Sequence, residues 1–198
     1  MTAPVLPPYD YQPRPYDGPS YDDVVRLKNR HVTPTSIPFY KKPLMIVEGS
    51  LQYLFDHEGR RYLDVIGGIV TISVGHCHPY VVQKVKEQTE RLQHITSIYL
   101  HPNIARYAGM LAAKMPGDLS VCYFVNSGSE ANDTAIKLIW QVNNLLGRPQ
   151  KKKIIARTGA YHGVTIAAGS LSGLPFVHGG FDLPVPGFLH TTKPHYFL

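Results

Sequence analysis

The stretch FVNSGSEAN, residues 124–132, decides how this chain is read. The run that leads into it, Val121, Cys122, Tyr123, Phe124 and Val125, is apolar and short, the pattern of a strand buried between two layers. A helix follows at once. Ser127 and Glu130 have the Ser-x-x-Glu spacing of a capping box, and Ala131, Ala135, Leu138, Val142 and Leu145 recur at helical intervals until Gly147 and Pro149 end the pattern. The capping role commits the Glu130 carboxylate to backbone amides and makes it a poor proton carrier. Gly128 lets the backbone come close to a ligand, and the unpaired amides of the first turn, together with the helix dipole, suit a phosphate. Taken alone, Ser-x-x-Glu also describes an ordinary capped helix, so the surrounding sequence has to choose.

Working outward, residues 153–157 read as a second strand, and with 121–125 and the helix between them they make a β/α/β unit of a helix-covered sheet. Upstream, residues 103–114 carry Ile104, Tyr107, Ala108 and Leu111 at helical spacing, and a helix beginning at Pro79 carries Val81, Val82, Val85, Thr89 and Leu92. Residues 44–64 alternate apolar and polar side chains around Gly49 and the His-Glu-Gly turn at 57–59, which predicts a small antiparallel meander. Residues 21–30 form a short helix candidate behind a Pro-rich arm. From residue 172 onward the chain is rich in Gly, Pro and His, without a long periodic element.

Composition limits the function classes. The 198 residues are 43% hydrophobic and 17% charged, enough for a real core. The net charge of +6 draws on Lys151, Lys152 and Lys153, a run with no interleaved aromatics to suggest nucleic acid. No apolar run reaches the roughly 18 residues of a membrane span, and no membrane partner is expected. Cys77 and Cys122 stand far apart without a CxxC, so neither a disulfide framework nor a zinc site is signalled. His76, Cys77 and His78 are adjacent and point in different directions; Gly75 and Pro79 make them a turn before a helix rather than a metal site. Among nucleotide and hydrolase motifs, GxGxxG and the P-loop are absent. The near match to GxSxG at residues 169–173 has Leu171 at its centre.

Three motifs in order carry a family resemblance: VGHCHP at 74–79, SGSEAN at 127–132 and GAYHG at 159–163. Together they resemble the class III, ornithine/4-aminobutyrate type, aminotransferases. PYDGPS at 15–20, LFDHEGRRYLD at 54–64 and LPVPGFLHT at 183–191 bring the chain nearest to the alanine-glyoxylate aminotransferase 2 branch. The likeness covers nearly the whole chain. It implies an α/β fold-type I transferase: residues 1–20 as the arm, 21–75 as the N-terminal part of a small domain, and 76–198 as the first, truncated part of a large mixed-sheet domain that binds pyridoxal 5'-phosphate.

The resemblance also implies a site. Ser127, Gly128 and Ser129 take the cofactor's phosphate, Tyr161 stacks on its ring, and His162 braces the site; Ile69 stands where the ornithine branch carries an aromatic that meets its substrate, which argues against ornithine but not against 4-aminobutyrate. Stacking suits an aromatic at 161, since it restrains a planar ring. The Schiff-base lysine and the aspartate facing the pyridine nitrogen are expected past Leu198, for none of Lys137, Lys151, Lys152, Lys153 and Lys193 stands in the family's lysine context. The chain is therefore expected to be an N-terminal fragment, inactive alone. The whole enzyme would move an amino group from alanine to glyoxylate as a homodimer or homotetramer, with a related 4-aminobutyrate, ornithine or phospho-lyase activity, or a non-catalytic product, as alternatives. The family implies a mitochondrial location and the cytoplasm is the alternative, since residues 1–20 hold one arginine, Arg14, and lack the pattern of an import signal.

Overall fold

The computed structural model describes residues 9–34 and 40–194. The chain divides into two compact units, Met1–Tyr99 and Leu100–Leu198.

In the first unit, Ser20 starts α1 (Tyr21–His31) by accepting from the amide of Asp23 at 3.2 Å, with Asp22 and Asp23 in the first turn and Lys28, Arg30 and His31 in the last, as the helix dipole favours. The meander expected at residues 44–64 is present as β1 (Ile46–Ser50), β2 (Tyr53–Asp56) and β3 (Arg61–Leu63), antiparallel and in that order. Its second turn closes on a buried carboxylate: Asp56 accepts from the amides of Glu58 and Arg60, each at 2.9 Å, and from the Tyr62 hydroxyl at 2.8 Å. The described part of the arm, from Tyr9, lies on this sheet. Tyr9 packs on Tyr53 at 4.4 Å and Tyr11 on Phe55 at 5.7 Å, while the Tyr11 hydroxyl and Arg14 both bond Glu48. After the meander comes a single turn, α2 (Gly67–Val70), in which every residue has positive φ. His78 then leads into α3 (Pro79–Arg91), with proline at the first position where its missing N–H costs nothing. By compactness α3 falls in the first unit.

In the second unit, α4 (Pro102–Ala112) and α5 (Gly128–Leu145) appear where the apolar spacing puts them, and the left-handed Gly147 ends α5. Residues 121–125 do not form the buried strand expected of them. They run without a ladder partner among the described residues, and Val121 is 94% exposed; Tyr107 stacks on Phe124 and the Cys122 thiol meets the Ala108 carbonyl, so the segment leans on α4 instead. The reason is that a strand is defined by its neighbours' N–H and C=O groups, and none lies alongside. The β/α/β unit is replaced by a parallel pair, β4 (Ile154–Arg157) and β5 (Phe188–Thr191), in register Ile154 to Phe188. Two short helices, α6 (Ile166–Leu171) and α7 (Pro175–His178), join them. α6 packs against α5, both strands and α7, and the core there is Ile136, Ala156, Ala168, Val177 and Phe188.

Candidate functional site

The start of α5 is built by short-range bonds. The Ser127 hydroxyl accepts from the Glu130 amide at 3.2 Å, and the Glu130 carboxylate reaches back to the Asn126 amide at 2.7 Å, one residue earlier than a standard capping box. These bonds and the Ala131 amide on the Ser127 carbonyl leave the amides of Gly128 and Ser129 without an acceptor among the described residues. A Cβ placed on Gly128 would meet nothing within 4 Å. The helix therefore begins with two unpaired donors and open space beside Gly128.

A second segment closes the other side. The Asn132 side chain donates to the His162 carbonyl at 2.7 Å, and the Ser129 hydroxyl accepts from the Val164 amide at 3.2 Å. Gly163 is where the two segments touch: its φ is +126°, and a Cβ there would lie 2.3 Å from Ser129 Oγ. Behind this loop the buried Ser172 hydroxyl accepts from the His162 amide at 2.9 Å and faces the Gly163 carbonyl at 3.0 Å. Asp133, one turn along α5, accepts from the Thr165 hydroxyl at 2.8 Å and the Ala168 amide at 3.0 Å, which fixes the start of α6.

The result is a cavity of about 450 Å³ lined by Ser127, Gly128, Ser129, Asn132, Tyr161, His162 and Gly163, none of them acidic. Its donors are amides and hydroxyls. Its one exposed ring is Tyr161, 60% exposed although aromatic, with no hydrogen bond to its hydroxyl among those described. Such a set suits a phosphate attached to a planar aromatic group: the amides and dipole of an 18-residue helix favour the dianion, and the ring offers a stacking face. The residues fit pyridoxal 5'-phosphate by that chemistry.

All five residues named for the cofactor, Ser127, Gly128, Ser129, Tyr161 and His162, thus come together in this cavity. Ile69 does not line it; it belongs to α2 in the first unit, 82% exposed. Sequence reasoning passed over Asn132, Asp133, Thr165 and Ser172. Asn132 and Asp133 had a signal, since they fall three and four residues after Ser129 and so share its helix face. Ser172 had none, because the site residues it meets, His162 and Gly163, lie ten and nine residues away on the far side of α6.

Comparison with known proteins places the chain in a family. The family model for aminotransferase class-III matches residues 38–197. The chain is 44% identical over 168 residues to alanine–glyoxylate aminotransferase 2 homolog 2, mitochondrial, of Arabidopsis thaliana, covering 85% of this chain and 34% of that protein. It is 41% identical over 158 residues to gamma-aminobutyrate transaminase 1, mitochondrial, of Oryza sativa subsp. japonica, covering 78% and 31%. The omega transaminase of Pseudomonas jessenii, solved in complex with PMP, superposes with a TM-score of 0.74 at 37% identity, over 93% of this chain and 38% of that one. The chain thus spans about a third of the length of the curated relatives it matches.

Proposed function

This chain belongs to the class III aminotransferase family, and on that premise we propose that the start of α5 holds the phosphate of pyridoxal 5'-phosphate in an enzyme that transfers an amino group from alanine to glyoxylate. The observation that carries the reading is the meeting of two open amides and an exposed aromatic ring in one cavity without a carboxylate. The Gly128 and Ser129 amides donate to the phosphate, and the Ser129 hydroxyl keeps its proton free to donate because it accepts from Val164. Tyr161 stacks on the ring. His162 braces the loop through its backbone, tied at the amide by Ser172 and at the carbonyl by Asn132. When bound, the cofactor supplies the electron sink for breaking the bond to the substrate's α-hydrogen and carries the amino group between donor and acceptor.

Alanine and glyoxylate are proposed as the substrates because the Arabidopsis relative bears that name. The rice relative favours a second reading, with 4-aminobutyrate as donor. Ile69 is proposed to meet the substrate, and an isoleucine rather than an aromatic there suits both donors. Residues 1–20 are proposed as the N-terminal arm, 21–75 as the N-terminal part of the small domain and 76–198 as the first part of the large one. The homodimer or homotetramer of the whole protein remains part of the proposal, as does its mitochondrial location, supported by the names of both relatives. No helix among the described residues is long and apolar enough to cross a membrane. The test is reconstitution of the full-length protein with pyridoxal 5'-phosphate, followed by assays of alanine and 4-aminobutyrate against glyoxylate. Faster turnover of alanine supports the first reading, faster turnover of 4-aminobutyrate the second, and failure to retain the cofactor through dialysis refutes both.

A further inference from the structure

The least expected backbone in the first unit is α2. Gly67, Gly68, Ile69 and Val70 have φ of 57°, 61°, 59° and 64°, a complete left-handed turn. Glycine adopts this region freely, but β-branched residues do not, and single residues rather than whole turns are the rule. Packing does not compensate here, because Ile69 and Val70 are 82% and 83% exposed. Such a conformation persists only where its surroundings over-determine it, and such places cluster at functional sites.

The surroundings that do so are specific. One carboxylate oxygen of Asp64 accepts from the amides of Ile66 and Gly67 at 3.0 and 2.9 Å, the two donors that enter the turn. The other oxygen lies 2.7 Å from Nε2 of His76. Both side chains are largely buried, Asp64 at 9% exposure and His76 at 20%. The backbones at the two ends are pinned as well: the Asp64 amide donates to the Gln52 carbonyl at 2.9 Å, and His76 exchanges two bonds of 2.7 Å with Leu51. That approach is so close that a Cβ on Gly75 would sit 2.8 Å from Leu51 Cα, and one on Gly49 would sit 2.9 Å from His76 Cβ. Residues 65–75 therefore leave the meander and return to it at two fixed points, and the Asp64–His76 bond ties those points together.

We propose that Asp64 and His76 are a pair of positioning residues, a clamp at the base of the 65–75 loop that imposes the left-handed turn and presents Ile69 and Val70 as a fixed apolar face to the substrate's carbon chain. The bearing on substrate rests on the transaminase reading above; the clamp does not. Among the described residues of the first unit nothing else holds the turn from outside it, since its remaining bonds run from Val70, Thr71 and Ile72 to Ile66, Gly67 and Gly68 within the loop.

The test compares Asp64→Ala, His76→Phe and His76→Gln in the 198-residue chain by peptide-resolved hydrogen exchange, and repeats the variants in the full-length enzyme for kcat and KM of alanine. Losing a charge-assisted bond at the base should raise exchange across residues 66–72 by about tenfold for Asp64→Ala and His76→Phe, with β1, β2 and β3 still protected. His76→Gln keeps a donor toward Asp64 and should restore most of the protection. In the loaded enzyme the first two variants should raise KM about five- to tenfold with kcat within about twofold, the pattern of lost substrate positioning. Unchanged exchange at 66–72 in both variants overturns the clamp, as does an equal rise over the whole meander, which would mark a merely structural pair. Raised exchange with an unaltered KM overturns the link to substrate, and a loaded enzyme that transaminates nothing refutes the functional reading while the exchange result still judges the clamp.

Discussion

Gly163→Ala probes the joint between the two halves of the cofactor cavity. The added Cβ would stand 2.3 Å from Ser129 Oγ, 3.0 Å from Ser129 Cβ and 2.9 Å from Ala168 Cβ, all well inside van der Waals contact. Ala168 cannot retreat cheaply, because Asp133 holds its amide and the residue is fully buried. Ser129 can yield only by turning its hydroxyl away from the Val164 amide, which gives up that hydrogen bond. The backbone at φ +126° is in addition a conformation that alanine resists. Backbone strain of about 1–3 kcal/mol, overpacking of similar size and a lost bond near 1 kcal/mol, partly relieved by relaxation, combine to roughly 3–5 kcal/mol. For a chain of this length that lowers Tm by roughly 6–20 °C. The assay is thermal unfolding of the chain, with Gly128→Ala as control: the space above Gly128 is open, so that variant should stay within about 0.5 kcal/mol of the parent. A Tm for Gly163→Ala within about 2 °C of the parent would refute the claim that residues 129 and 163 are packed against each other.

Gly128→Val should leave folding largely intact while cofactor content after dialysis falls markedly, because its side chain fills the space in front of the Gly128 and Ser129 amides; unchanged content would remove the phosphate from this site. Tyr161→Leu should alter the bound cofactor's absorbance with little change in Tm, since the ring is mostly exposed, whereas a lower Tm with an unchanged spectrum would make Tyr161 structural. Ser127→Ala removes the α5 cap and should cost about 1 kcal/mol in denaturant unfolding. Burial pushes the Asp56 carboxyl up, but the Tyr62 hydroxyl and the amides of Arg60 and Glu58 outweigh it and hold the group below the ordinary carboxylate range. A depressed native value contributes stability that is present above the unfolded value of about 3.9 and lost as pH falls through the native one. Asp56→Asn should therefore cost about 1–3 kcal/mol at neutral pH, with the difference from the parent shrinking below about pH 4; a cost independent of pH would show that the charge is immaterial.

What the sequence determined by itself was local. The cap at Ser127, the proline entry to α3, the glycine stop after α5 and the His-Glu-Gly turn of the meander were all legible, because each satisfies its backbone groups within about four residues and leaves a mark in the residue types at those positions. The donors at 127–129 were legible for the same reason, being a property of a helix start. Tertiary structure decided what those elements meet. Residues 121–125 have a strand's composition but no ladder partner among the described residues, and the partner of β4 turned out to be residues 188–191, in a stretch with no long period to announce it. Tyr161 and His162 reach the α5 turn only because Asn132 and Ser129 bond their loop across 30 and 35 positions. The left-handed turn at Ile69 depends on a carboxylate and an imidazole twelve residues apart. Pairings of this kind are chosen by which chain segments approach in space, and spacing along a single segment carries no record of that choice.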